Sequence, residues 1–161
     1  MLGGPLAANA SLLGQTANCS ITPTPFWVCN PTSATVVDPG VEFQLLQSSF
    51  GATPQFSIDV GPSGIVITDV AGGWGLGANE LLTISGLSGI LGASLLSTTG
   101  TSGVTSSDIS FTATSITFDM DHGASYQPGA VVNIGVTVPE PATLALLALG
   151  LAGLGFSRRK Q

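Results

Sequence analysis

The chain predicts an all-β fold, an antiparallel β-sandwich of jelly-roll-like type, followed by a short C-terminal hydrophobic helix. Three observations carry that prediction. Short runs between residues 36 and 138 alternate apolar and polar residues with period two, the signature of strands with one buried face. Clusters of Gly, Pro, Ser and Asn punctuate those runs. No apolar pattern at helical spacing lies between capping residues until the last two dozen positions. With 43 % hydrophobic residues the chain is too aliphatic for a disordered one, and it is long enough for one domain with a real core.

Taken in order, residues 1–10 read as a remnant of a secretory signal peptide. Ala8-Asn9-Ala10 fits an A-x-A cleavage site before Ser11, with the charged and apolar regions expected upstream of Met1. Residues 11–138 form the β-sandwich body. Its only cysteines, Cys19 and Cys29, are ten positions apart, and outside the cytoplasm two such residues most often pair. The segment between them, with Pro23, Pro25, Phe26 and Trp27, reads as turn-rich.

Val41, Phe43 and Leu45 alternate with Glu42, Gln44 and Leu46, giving a strand with one wet face. Phe56, Ile58 and Val60 form a second strand, and Gly61-Pro62-Ser63-Gly64 turns it back into the β-branched run Ile65 to Val70 as a hairpin. Glu80 to Leu87 is a further strand, with Leu82 and Ile84 on one side. From Asp108 to Met120 the apolar residues change phase: Ile109, Phe111 and Ala113 are odd, whereas Ile116, Phe118 and Met120 are even. A β-bulge near Thr114-Ser115 restores the phase, and a tight turn there does so equally well. Val132, Ile134, Val136 and Val138 make the last strand. Turns are expected at Asp38-Pro39-Gly40, Gly100 to Gly103 and Pro128-Gly129.

The final strand leads directly into residues 139–161. Pro139-Glu140-Pro141 comes first, then an apolar run from Ala142 to Phe156, then Arg158, Arg159 and Lys160, which are the only Lys or Arg residues of the protein. Fifteen helical residues span about 22 Å, short of the ~30 Å hydrocarbon core of a bilayer. A basic cluster beside an apolar segment stays cytoplasmic, so the body lies outside. The prolines stop the helix from extending backward and hold Glu140 extended at the outer surface.

This three-part order resembles the PEP-CTERM sorting signal of Gram-negative bacteria, over 24 of the 161 residues. The resemblance implies processing by exosortase, a membrane-embedded cysteine transpeptidase that removes the tail. It also implies an inner-membrane stage with the body on the periplasmic side, then a cell-surface or extracellular destination in an exopolysaccharide or biofilm setting.

Charge narrows the function classes. Residues 1–141 contain nine acids and no Lys or Arg, so the body has no cation to neutralise nucleic-acid phosphates, no Schiff-base lysine and no arginine clamp. Two spots have chemistry to weigh. Asp119-Met120-Asp121-His122-Gly123 offers two carboxylates to Ca²⁺, which wants six to eight oxygens, but Gly123 and Ala130 break the EF-hand pattern and a solvated strand end explains the acids. Trp74, within Ala71 to Gly77, either stacks on a sugar ring or plugs the open end of the sandwich. His122 is the sole candidate general base, and no G-x-S-x-G elbow accompanies it.

The reading is therefore a non-enzymatic exported surface or matrix protein that needs no cofactor or metal. Its alternative is a carbohydrate-binding or Ca²⁺-assisted adhesion module with Trp74, Asp119 and Asp121 as contacts.

Overall fold

The computed structural model describes residues 11–23, 26–47, 53–71, 80–121 and 124–139. Eleven strands run through them: β1 (Thr16–Thr22), β2 (Trp27–Asn30), β3 (Ser33–Thr35), β4 (Phe43–Gln47), β5 (Thr53–Gly61), β6 (Gly64–Asp69), β7 (Leu81–Ser85), β8 (Gly92–Ser102), β9 (Ile109–Thr112), β10 (Ser115–Asp119) and β11 (Ser125–Thr137). A 3-10 turn at Ser106–Asp108 is the one helical element among the described residues. The expected N-terminal remnant and the expected C-terminal helix lie outside them.

The strands form two antiparallel sheets. One has five strands in the order β3-β1-β7-β10-β9, and the other has six in the order β2-β4-β5-β6-β11-β8. Their inward faces meet in a single core. Ile21, Leu82, Ile84, Ile116 and Phe118 come from the first sheet, and Phe43, Phe56, Ile58, Ile65, Ile67 and Ile134 from the second. At roughly 25 cal/mol per Å² of apolar surface, burial on this scale is the main force holding the sheets together. β4, β5 and β6 make a meander within one sheet, whereas β7 to β11 pass back and forth between the two.

The outer face of the five-stranded sheet explains how a chain so poor in charge stays hydrated. Ser20, Thr83, Thr117 and Ser110 stand in one row across four strands, and Asn18, Ser85, Ser115 and Thr112 in the next. Thr83 and Thr117 hydroxyls hydrogen-bond each other at 3.0 Å. Hydroxyls do here what lysines and glutamates do on most sheets.

Most predicted strands are present, and the differences have local causes. The Gly61–Gly64 hairpin forms as expected, with Gly61 facing Gly64 across Pro62-Ser63. Between Thr112 and Ser115 the phase change is a tight turn, which joins β9 to β10 and pairs Phe111 with Ile116. Pro128-Gly129 does not end a strand, contrary to expectation. It lies inside β11, where a register shift between Tyr126 and Val131 puts Gln127 to Ala130 opposite Gly100 alone on β8. Gly100 and Gly129 both have positive φ, 66° and 76°, so the turn chemistry was read correctly but serves a bulge. Gly100 also lies close to β11, since a Cβ there would stand 3.2 Å from the Ala130 Cα.

Two further expectations are corrected. The segment around the cysteines is mostly strand: Ala17, Cys19 and Ile21 are buried on β1, while Thr16, Asn18, Ser20 and Thr22 are exposed. Glu42 is not on a wet face. It is buried, its Oε1 accepting the Val37 N–H at 2.8 Å and its Oε2 the Val60 N–H at 2.7 Å. Beside it, Asp59 has its carboxyl pushed above the usual range, chiefly by burial and then by the charges of Glu42 and Asp38.

Candidate functional site

The register sorts the loops to two ends. Gln47 pairs with both Trp27 and Thr53, Phe56 with Asp69, and Leu81 with both Thr22 and Asp119. Those residues therefore share one end of the sandwich. Thr112 pairs with Ser115, Gly61 with Gly64 and Thr137 with Gly92, and these mark the other. β11 finishes at the second end, so the tail leaves from there.

Side-chain chemistry concentrates at the first end. Trp27, buried on β2, donates its Nε1–H to the Glu80 Oε1 at 2.8 Å. Its ring lies 5.9 Å from that of Phe56, and Phe56 meets Tyr126 edge-on at 5.4 Å. The Tyr126 hydroxyl donates to the Met120 carbonyl at 3.1 Å, and the Met120 N–H donates to the Glu80 carbonyl at 2.9 Å. Burial, followed by the nearby charges of Asp108, Asp119, Asp121 and Glu80, pushes the phenol of Tyr126 well above its ordinary value. An aromatic stack under a ring of acids thus closes this end.

The candidate ligands of the sequence reading belong to this same end. Asp119 ends β10, and its Oδ1 accepts the Asp121 N–H at 3.1 Å. Asp69 accepts the Ala71 N–H in the same manner at 3.0 Å. Asp108 caps the 3-10 turn, its Oδ2 accepting the Thr105 N–H at 2.6 Å. These carboxylates organise their own loops. Among the described residues no group of three His, Cys, Asp or Glu is placed to hold a metal ion. Trp74 and His122 lie outside the described residues. Sequence reasoning missed Trp27 and Glu80, because the contact between them spans 53 positions and leaves no local pattern.

Cys19 and Cys29 are joined by a disulfide with their Cα atoms 5.8 Å apart. Cys19 is on β1 of the five-stranded sheet and Cys29 on β2 of the six-stranded one, so the bridge clamps the two sheets.

At the opposite end β11 runs without a break to Thr137, and Val138 packs against the core. Residues 137–160 match the family model of the PEP-CTERM protein-sorting motif. The tail is a PEP-CTERM sorting motif. Its matched residues start on the last residue of β11, so sorting motif and folded body share Thr137. Comparison with curated proteins and with solved structures finds no match. A PEP-CTERM motif is a recognition signal for exosortase, and it marks an exported protein that is held at the membrane and then reaches the surface or the exterior. Pro139, its first proline, is half-buried, whereas Glu140, Pro141, the apolar run from Ala142 to Phe156 and the Arg158, Arg159 and Lys160 cluster lie outside the described residues. Among the described residues no helix is long and apolar enough to cross a membrane.

Proposed function

We propose that this is a non-enzymatic structural protein of the cell surface or extracellular matrix, delivered by its PEP-CTERM tail into an exopolysaccharide or biofilm setting. The observation that carries the reading is the motif at residues 137–160, continuous with the last strand. Before processing, the tail sits in the inner membrane with the body on the periplasmic side, a placement that the basic cluster at Arg158 to Lys160 supports. Exosortase then removes the apolar run. The inter-sheet disulfide suits an oxidising exterior, and the hydroxyl rows suit a body that must stay hydrated without charge. Mass spectrometry of the cell-surface protein tests the proposal. A mature C-terminus at or near Pro139 to Pro141 is expected, and an intact tail through Gln161 would overturn it.

One observation favours a second reading, a carbohydrate-binding or adhesion module. The connection that contains Trp74 joins β6 to β7, and its β7 end lies beside Asp119, since Leu81 pairs with Asp119 and the Met120 N–H donates to the Glu80 carbonyl. Aromatic ring and carboxylates are the groups that recognise sugars, the ring by stacking and the acids by accepting from hydroxyls. A glycan array on the wild type and on Trp74→Ala separates the readings. Binding lost in the variant supports the module, and no binding by either protein supports the structural role.

A further inference from the structure

The end of the sandwich from which the tail departs presents apolar side chains and no cation. Leu91 donates its N–H to the Thr137 carbonyl at 2.8 Å, directly beside the exit of the chain, and its side chain is 63 % exposed. Leu13 is 43 % exposed, and Gln15 next to it binds the Leu91 loop, its Oε1 accepting the Ser88 N–H at 2.7 Å. Of the acids near this end Glu42 is buried, and Asp38 and Asp59 lie to one side, in a groove of about 300 Å³ beside the Pro62-Ser63 turn that does not include Leu91.

We infer that while the tail is attached this end rests in the phospholipid headgroup layer, with Leu91 leading and Leu13 beside it. The inference rests on the reading of the tail as a membrane-inserted segment. Chain length is what decides it. From Val138 to Ala142 the extended chain reaches at most about 14 Å. The apolar run, at about 22 Å, falls short of a ~30 Å core by about 8 Å. With the basic cluster held at the cytoplasmic face, that shortfall draws Ala142 below the outer boundary, leaving Val138 about 6 Å above it. The headgroup layer is itself roughly 5–8 Å deep on each side. The end of the body is therefore within the layer and cannot hang clear of it.

Apolar contact is the only attraction available, because the body has no Lys or Arg for anionic lipids. The contact should accordingly be insensitive to salt.

The test uses the full chain in vesicles of mixed neutral and anionic phospholipid. The described cysteines leave no free thiol, so a polarity-sensitive fluorophore can be attached at Leu91→Cys or at Val70→Cys. Val70, an apolar residue at the opposite end, is 52 % exposed. At position 91 we expect a blue shift and quenching by lipids brominated near the headgroup, unchanged by salt, and at position 70 neither. Water-like emission at both positions, from protein that floats with the vesicles, overturns the inference and leaves the tail reading intact. Failure to float removes the tail reading and the inference with it. Shielding of position 91 only when exosortase is added also overturns it, assigning the end to the enzyme.

Discussion

The two ends of the sandwich are closed by different means. Backbone closes the tail end: Leu12 N–H donates to the Pro62 carbonyl, Gly14 to Val36, Ile90 to Ala113, Leu91 to Thr137 and Val136 to Ser63, all within 3.2 Å. Its hairpins have two-residue turns. The far end has backbone bonds as well, from Met120 to Glu80 and Val70 to Gln55, but side chains add the seal there, through the Trp27–Glu80 bond, the Phe56–Tyr126 stack and the carboxylates that organise their own loops. Connections there are longer, with eleven residues between β6 and β7. An end that must sit against a membrane gains from backbone closure, which uses up its polar groups and leaves apolar tips. The far end keeps the longer loops, the usual place for recognition, over acids that are buried at Asp69, Glu80 and Asp108 and half-buried at Asp119 and Asp121.

The far end should be broken most severely by Trp27→Ala. Removing a large buried aromatic costs about 4 kcal/mol, and it also takes the indole donor from Glu80. Trp27→Phe keeps most of the volume and should lose only about 1–2 kcal/mol, the share of the hydrogen bond. At the tail end the matching experiment is Glu42→Ala, which orphans the Val37 and Val60 N–H groups and should cost about 3 kcal/mol. Denaturant midpoints measure all three. If Glu42→Ala were nearly neutral, the tail end would not depend on its one buried carboxylate clamp, and the comparison would need a different basis.

Reduction of Cys19–Cys29 comes next. A closed loop of this length contributes about 2–3 kcal/mol on the chain-entropy model. Because the bridge joins β1 to β2 across the sheets, the loss should be felt first at the far end, where β2 holds Trp27. Hydrogen exchange after reduction should show faster opening at Val28 and Leu46 than at Ile67 and Ile134, which lie on interior strands. Uniform acceleration would show that the two ends open together.

What the sequence made legible follows the range of the interactions. Period-two alternation exposed β5, β6, β7, β10 and β11, because each is paired on both sides and turns one face to the core. β8 remained hidden: as an edge strand with the run Ser94-Leu95-Leu96-Ser97-Thr98-Thr99, it has no clean alternation to read. Bulging at Leu96, which folds over the bare Gly135, disturbs the phase further. β1 was readable in principle, since Ala17, Cys19 and Ile21 alternate, but its flanking prolines pointed to turns. The sorting motif was legible in full because it is contiguous. The aromatic closure at the far end was not, since Trp27, Phe56, Glu80 and Tyr126 come from four separate segments.

The smallest effect is also the cleanest probe of the far end. Tyr126 is the only tyrosine of the chain, and its hydroxyl donates to the Met120 carbonyl in buried surroundings with four acids nearby. Tyr126→Phe should cost about 1 kcal/mol at neutral pH, the net value of one such bond. Alkali adds a second readout. The folded protein holds the phenol neutral and raises its pKa, while in the unfolded chain it titrates near about 10. The stabilising contribution is complete below that pH and is lost as the pH climbs above it, because the unfolded state then releases a proton that the folded state retains. Wild-type stability should therefore fall more steeply above pH ~10 than that of Tyr126→Phe. Tyrosinate absorbance should rise together with unfolding and not before it. An early rise in intact protein would mean that solvent reaches the hydroxyl, and that the acids, the stack and the Trp27–Glu80 bond do not seal this end after all.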